Sequence, residues 1–310
     1  MRRWTWRRML GGAGAVAMAV IVAGCSPSSM PSPDDPSPSA SKTPSASGRT
    51  GTPTPTSTAS ADESAPSDGS DSGESDTGGS SSDASGDSGS SSSGSGDSAS
   101  AAVRYGWGTV AGGDEFAYTG APSSSNWSVY DSVGHAGNGV RSPSAFSVSG
   151  GVVRVSGDAN GTTGGMAARF DSSTYGKWEV RMRVSQRDPK YHPVLLLWPN
   201  SNSWPCDGEV DFAEGWAATD VVNFVLISGC EKTVTRTNQT IDQTAWHNYA
   251  VEWNSTTMIG YIDGVEFFRD TTASHLPPGP MHLCIQLDWF PDGSATSPSW
   301  MEVDWVRFYR

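Results

Sequence analysis

From Phe116 to the C-terminus, short runs of β-branched and aromatic residues are separated by Gly, Pro, Asn, Asp and Ser. These runs predict strands near Trp127–Asp131, Ala145–Val148, Val152–Val155, Met166–Phe170, Lys177–Val184, Val194–Trp198 and Gly208–Glu214. Further strands are predicted near Val221–Ser228, Tyr249–Trp253, Met258–Ile262, Glu266–Arg269, His282–Asp288 and Val303–Tyr309. Trp178, Val180, Met182 and Val184 alternate with Glu179, Arg181 and Arg183, so that strand turns one face to a core and the other to polar surroundings. Ser149-Gly-Gly151 and Asp263-Gly264 read as hairpin turns, the second pairing Met258–Ile262 with Val265–Phe268. No stretch carries a long apolar stripe at helical spacing with caps. Many short strands and little helix predict an all-β sandwich or barrel, and about 210 residues fit one large sandwich.

The Gly208–Glu214 run breaks the pattern, because Glu209, Asp211 and Glu214 put three carboxylates into six residues between Trp204 and Trp216. Strands are poor in Asp and Glu, and carboxylates on one face repel unless one stays protonated. Strict alternation sends Glu214 to the face opposite Glu209 and Asp211. A single β-bulge near Phe212 or Ala213 shifts the parity and returns Glu214 to the shared face. The two glutamate Cα atoms then lie roughly 13 Å apart, and side chains reaching inward by about 4 Å each leave a gap of about 5 Å, the spacing of a retaining glycosidase. The shorter Asp211 sits low between them. Paired carboxylates with divergent pKa values are a means of general acid chemistry near neutral pH, whereas a solvated edge with incidental acids is the bland alternative.

Glu209-Val-Asp-Phe-Ala-Glu214 resembles the bulged E-x-D-x-x-E signature of glycoside hydrolase family 16, the laminarinase and β-glucanase family. Other family landmarks follow in order: Gly176-Lys-Trp-Glu-Val-Arg-Met-Arg183 before it, then Trp246-His-Asn-Tyr-Ala-Val-Glu-Trp253, Tyr261-Ile-Asp-Gly264 and Met301-Glu-Val-Asp-Trp-Val-Arg-Phe-Tyr309. The resemblance spans residues 104–310. It implies a jelly-roll β-sandwich of two antiparallel sheets with a concave cleft, and retaining, endo-acting cleavage of a β-linked polysaccharide such as β-1,3- or β-1,3/1,4-glucan. It further implies Glu209 as nucleophile, Glu214 as acid and then base, and Asp211 as the partner of Glu209, with no metal or cofactor in the chemistry. A non-catalytic carbohydrate-binding sandwich and a transglycosylase are the alternatives. Two departures stand out. His192-Pro-Val-Leu-Leu-Leu-Trp198 lacks the tryptophans usual there, and Asn223 stands where many members carry His.

Composition divides the chain further. Residues 1–25 combine Arg2, Arg3, Arg7 and Arg8 with an apolar run ending in Val22-Ala-Gly-Cys25, a signal peptide whose end resembles a bacterial lipobox. Cleavage before Cys25 and lipid on its sulfur would export the protein and hold it to the outer face of the cell membrane; ordinary cleavage would release it. Residues 26–102 are Ser, Pro, Gly, Thr, Asp and Ala with no aromatic residue, a composition that predicts a disordered linker. Eleven acidic and two basic residues between Ser26 and Ser100 give it a net charge of −9, within −13 for the whole chain. The folded domain is expected at residues 103–310. An acidic chain is a poor partner for nucleic acid, and a neutral polysaccharide raises no such objection. The reading is of a monomer touching a membrane only through its lipid.

Of four cysteines, Cys206 and Cys230 lie equally far from the expected turn near Ala218, which makes a disulfide between them plausible in an exported protein. Cys284 is left as a buried thiol, and no spacing suggests zinc. His247 reads as a structural residue at a strand start. Thirteen tryptophans offer platforms for sugar rings. Trp127, Trp178, Trp246, Trp253 and Trp305 fall in strand patterns and read as packing, while Trp204, Trp216 and Trp289 are the candidates for substrate binding.

Overall fold

The computed structural model describes residues 99–310. The signal peptide, Cys25 and the linker as far as residue 98 lie outside the described residues. After a short helix α1 (Ala101–Tyr105) come strands β1 (Gly112–Asp114), β2 (Trp127–Val129), β3 (Ser132–Val133), β4 (Val140–Arg141), β5 (Phe146–Ser149) and β6 (Val152–Gly157). They are followed by β7 (Thr162–Thr163), β8 (Gly165–Ala168), β9 (Gly176–Val184), β10 (Tyr191–Pro199), β11 (Glu209–Gly215) and β12 (Val221–Ser228). The last six are β13 (Thr233–Thr240), β14 (His247–Trp253), β15 (Met258–Ile262), β16 (Val265–Asp270), β17 (Met281–Trp289) and β18 (Ser299–Tyr309).

Two antiparallel sheets stack as a jelly roll. The outer sheet runs β16-β15-β14-β9-β18-β6-β5, with β1 added alongside β18. The cleft sheet runs β13-β12-β11-β10-β17-β8-β2. Between them lies one large apolar core that includes Trp178, Val180 and Met182 of β9, Leu195 and Leu197 of β10, and Phe224 and Leu226 of β12. The alternation read in β9 is realised. Its apolar residues enter the core, while Arg181 and Arg183 turn outward to stack on the ring of Trp246, 5.4 and 4.7 Å from its centroid.

Both expected hairpins form. Ser149 pairs with Val152 across Gly150 and Gly151, whose φ values of 61° and 78° belong to the left-handed region that glycine enters without penalty. Ile262 pairs with Val265 across Asp263-Gly264. Strand β13 was not expected from sequence. Thr-Val-Thr-Arg-Thr-Asn-Gln-Thr lacks an apolar face because it is an exposed edge strand held by its ladder to β12.

The folded region also starts earlier than the expected boundary at residue 103. Ala101 and Ala102 are buried with Trp107, Ala250, Ile259, Tyr261 and Tyr309 on the outside of the outer sheet. Glu179, fully buried, accepts hydrogen bonds from the backbone N–H groups of Ala101 (2.6 Å) and Ala102 (3.1 Å), capping donors that the helix leaves open. Ser100 Oγ accepts from Val103 N at 3.1 Å. The chain therefore enters the domain on the face turned away from the cleft sheet. Glu179→Ala strands two buried donors and is expected to lower unfolding free energy by about 2–3 kcal/mol in chemical denaturation, with residues 99–106 becoming sensitive to protease.

Candidate active site

Strand β11 carries the three acids and owes their arrangement to one extra residue. On one side Asp211 pairs with Leu196 and Ala213 with Leu195, leaving Phe212 without an opposite residue. On the other, Asp211 pairs with Val225 and Glu214 with Asn223, so that Phe212 and Ala213 together face Phe224. This is the bulge expected from sequence. Val210, Phe212 and Ala213 all enter the core, and Glu209, Asp211 and Glu214 point to the other face of the sheet. Asn223, the residue in place of a histidine, donates from Nδ2 to the backbone carbonyl of Glu214 at 3.0 Å and so pins the strand just past the bulge.

The two glutamates sit in different surroundings. Glu209 Oε2 accepts a hydrogen bond of 2.8 Å from the Trp204 indole N–H. Glu214 has no hydrogen-bond partner on either oxygen, and burial pushes its carboxyl up to about 8, with the nearby charge of Asp288 adding to the rise. The Trp216 side chain pulls the other way. Its Nε1 does not close a hydrogen bond, so burial prevails.

Trp204 and Trp216 thus flank the acid strand, one beside each glutamate. Lys232 Nζ lies 4.8 Å from the Trp204 ring centroid and the Arg236 guanidinium 5.5 Å from that of Trp216, each within cation–π range. The Trp204 loop is tied down by a disulfide from Cys206 to Cys230, which joins the residues preceding β11 to those following β12. Cys284 is a free, buried thiol.

Trp289 does not belong with them. In β17, Leu283, Ile285 and Leu287 face the core while His282, Cys284, Gln286 and Asp288 face the cleft, and Trp289 keeps the core parity. Its ring packs against the main core and fills the space over Gly139 and Gly161, where an added Cβ would come within 3.1 and 2.1 Å of it. Loop-like surroundings in the sequence concealed that parity. His247 is structural as expected: Nδ1 lies 2.6 Å from Asp263 Oδ2 and Nε2 3.1 Å from the Asp242 carbonyl.

Across the strands the cleft face changes character. Val194, Leu196 and Trp198 of β10, Cys284 of β17 and Ala167 of β8 form an apolar floor with Tyr130, and Trp204 packs against it. Of the segment His192–Trp198, which departs from the family pattern, Val194, Leu196 and Trp198 are residues of this floor, while Leu195 and Leu197 enter the main core. Past Glu214 the face turns polar. Asp288 stands opposite His192 and is bound through Oδ1 by Arg141, at 2.7 Å from Nη2 and 3.2 Å from Nε. Sequence reading missed this pair. The alternation of Met281–Trp289 marks Asp288 as cleft-facing, but nothing in the chain signals Arg141 as its partner from 147 residues away.

Among the described residues no three His, Cys, Asp or Glu side chains are grouped to hold a metal ion, and no helix is long and apolar enough to cross a membrane.

Residues 138–307 match the family described as glycosyl hydrolases family 16. The clotting factor G alpha subunit of Tachypleus tridentatus is 24% identical over 174 residues, 48% of this chain and only 25% of that protein. The fold is similar to that of the laminarinase from Rhodothermus marinus, with TM-score 0.59 and 23% identity over 65% of this chain and 96% of the other. It is also similar to LamA of Z. galactanivorans, solved in complex with laminaritriose and laminaritetraose, with TM-score 0.57 and 20% identity over 65% and 99% of the respective chains. The chain, with its bulged acid strand on one face of a jelly roll, belongs to glycosyl hydrolases family 16.

Proposed function

We propose that the domain cleaves inside a β-linked polysaccharide chain, β-1,3- or β-1,3/1,4-glucan foremost, by a two-carboxylate mechanism that retains anomeric configuration. The observation that carries this reading is the contrast between two glutamates on one face of β11, one hydrogen-bonded by Trp204 and the other buried without a partner. The laminari-oligosaccharides bound to a protein of like fold favour glucan as the substrate. On the same reading the protein is exported, and Cys25 holds it to the membrane.

Glu209, ionised and supported by the Trp204 N–H, attacks the anomeric carbon as the bond from that carbon to the departing oxygen breaks. Glu214, protonated, gives its proton to the departing oxygen. Glu214 is then a carboxylate. It takes a proton from water, whose oxygen attacks the same carbon and releases Glu209. The two inversions leave configuration unchanged. Asp211, between them, is assigned to hold Glu209. Trp204 and Trp216 are assigned to the sugar rings on either side of the cleaved bond.

Incubation with a panel of β-1,3-, mixed-linkage and other β-linked polysaccharides, read by chromatography, tests the activity, and NMR of the first-formed anomer tests retention. Products longer than the donor would instead identify transfer to a sugar. Glu209→Gln is expected to abolish turnover. Glu214→Gln is expected to lower kcat by about 10²–10⁴-fold on polysaccharide, the weight of one general acid.

Because Glu214 acts while protonated and its carboxyl lies near 8, kcat/KM should fall as pH rises through about 8. The same shift makes the folded chain hold a proton that the unfolded chain has released. Its contribution to stability is full below the ordinary glutamate range and is lost as pH rises towards 8. Glu214→Gln removes both dependences. A pH–rate profile with no such limb in the parent would remove Glu214 as the acid.

A further inference from the structure

The Glu214 side of the cleft gathers buried polar atoms that no protein group satisfies: both oxygens of Glu214, Asp288 Oδ2, His192 Nδ1 and the indole Nε1 of Trp216. Buried polar atoms in folded proteins are normally paired. Several unpaired in one place, on β11, β10, β17 and the residue after β11, mark a surface made for a ligand with polar groups of its own. The apolar floor of Val194, Leu196, Cys284 and Ala167 lies alongside.

Within this group Asp288 is the residue held most firmly. It is fully buried, and Arg141, itself 1% exposed, grips Oδ1 with two N–H groups. Oδ2 is left without a donor, and His135 Nδ1 stands 3.8 Å away, beyond hydrogen-bond length. Burial holds His135 below the ordinary histidine range and lowers His192 to about 3, so neither ring supplies a charge to Oδ2. Asp288 is therefore an acceptor with one oxygen clamped and the other open.

Its position relative to Glu214 follows from the register. Glu214 pairs with Val194, Val194 with Gln286, and Asp288 lies two residues further along β17. Two strand spacings and two residues put the Cα atoms roughly 12 Å apart, with Val194 and Gln286 between them on the same face. The charge of Asp288 is felt at Glu214, in keeping with that closeness. A hydroxyl is the donor that suits Oδ2. A cation would meet the neighbouring Arg141, and an anion would meet Asp288 itself.

We propose that Asp288, clamped by Arg141, determines specificity: Oδ2 accepts a hydrogen bond from a hydroxyl of the sugar ring seated beside Glu214, and its charge excludes rings bearing sulfate or carboxylate there. This rests on the roles given above to Glu209 and Glu214.

The test uses the full chain. With Glu209→Gln to stop turnover, calorimetric titration with laminaritetraose gives a reference affinity. Adding Asp288→Asn is expected to weaken it about tenfold or more, the weight of one charge-assisted hydrogen bond. Since Asp288→Asn leaves Arg141 buried and uncompensated, the pair Arg141→Met with Asp288→Asn removes both charges together and should show the same loss on a folded chain. In the otherwise unaltered enzyme, Asp288→Asn should lower kcat/KM on neutral glucan through KM. The ratio of kcat/KM between neutral and carboxymethylated glucan should narrow, a change that a purely structural role would not produce. Unchanged affinity and an unchanged ratio in a parent that turns over glucan would overturn the assignment of Asp288 alone. A parent inert on the whole polysaccharide panel would overturn the hydrolase reading and this inference with it.

Discussion

The site depends on two residues of β11 packing where a regular ladder allows one. Phe212 and Ala213 share Phe224 as their opposite residue, and both enter the core. The Phe224 ring is in turn stacked on Phe268 with centroids 3.9 Å apart. Gly260 lies beneath Phe224 so closely that an added Cβ would come within 2.4 Å of the ring. The bulge is thus locked by aromatic packing on the core side while its consequence is expressed on the cleft side. Without the extra residue Glu214 would share the parity of Val210 and Phe212, and its carboxylate would lie in hydrocarbon. Core packing and the direction of the third acid are one constraint seen from two faces.

Parity alone would give two equivalent glutamates. Their difference comes from what the neighbouring segments bring. The loop before β11 brings Trp204 onto Glu209, and the disulfide from Cys206 to Cys230 fixes that loop against the turn after β12, whose Lys232 lies over the Trp204 ring. No comparable donor reaches Glu214. It is buried, lies within reach of the Asp288 charge, and keeps its proton far above the ordinary range. The same residue type at two ends of a short strand is thus set in two different surroundings, one touched by an indole N–H and the other buried beside a charge.

Much of this was legible in the sequence because it follows from local parity. The β9 alternation, the turns at Gly150-Gly151 and Asp263-Gly264, the need for a bulge and the equal spacing of Cys206 and Cys230 about Ala218 are all counting arguments, and strand geometry respects them. Elements held by tertiary contacts alone were not legible. Strand β13 has no apolar face to announce it, and helix α1 is fixed by Glu179 from 77 residues away. The place of Trp289 is illegible for a related reason. A tryptophan at the end of a strand followed by Phe-Pro-Asp-Gly looks like a loop residue, and only the continued parity of β17 and the glycines beneath the ring send it to the core side.

The same limit applies to the polar end of the cleft face. Arg141 belongs to a small three-stranded sheet of β3, β4 and β7, where β4 and β7 pair in parallel, and none of these two-residue strands has a pattern to read. That sheet places Arg141 under Tyr130, with its guanidinium 5.6 Å from the ring centroid, and against Asp288. A buried ion pair seldom adds much stability over an apolar pair of the same shape, so its presence on the cleft face is better explained by what Asp288 offers there than by what it does for the fold. The aliphatic floor formed by Val194 and Leu196 contributes area without direction. The directed groups on this face are the polar atoms around Glu214, and the strand order sets Asp288 among them.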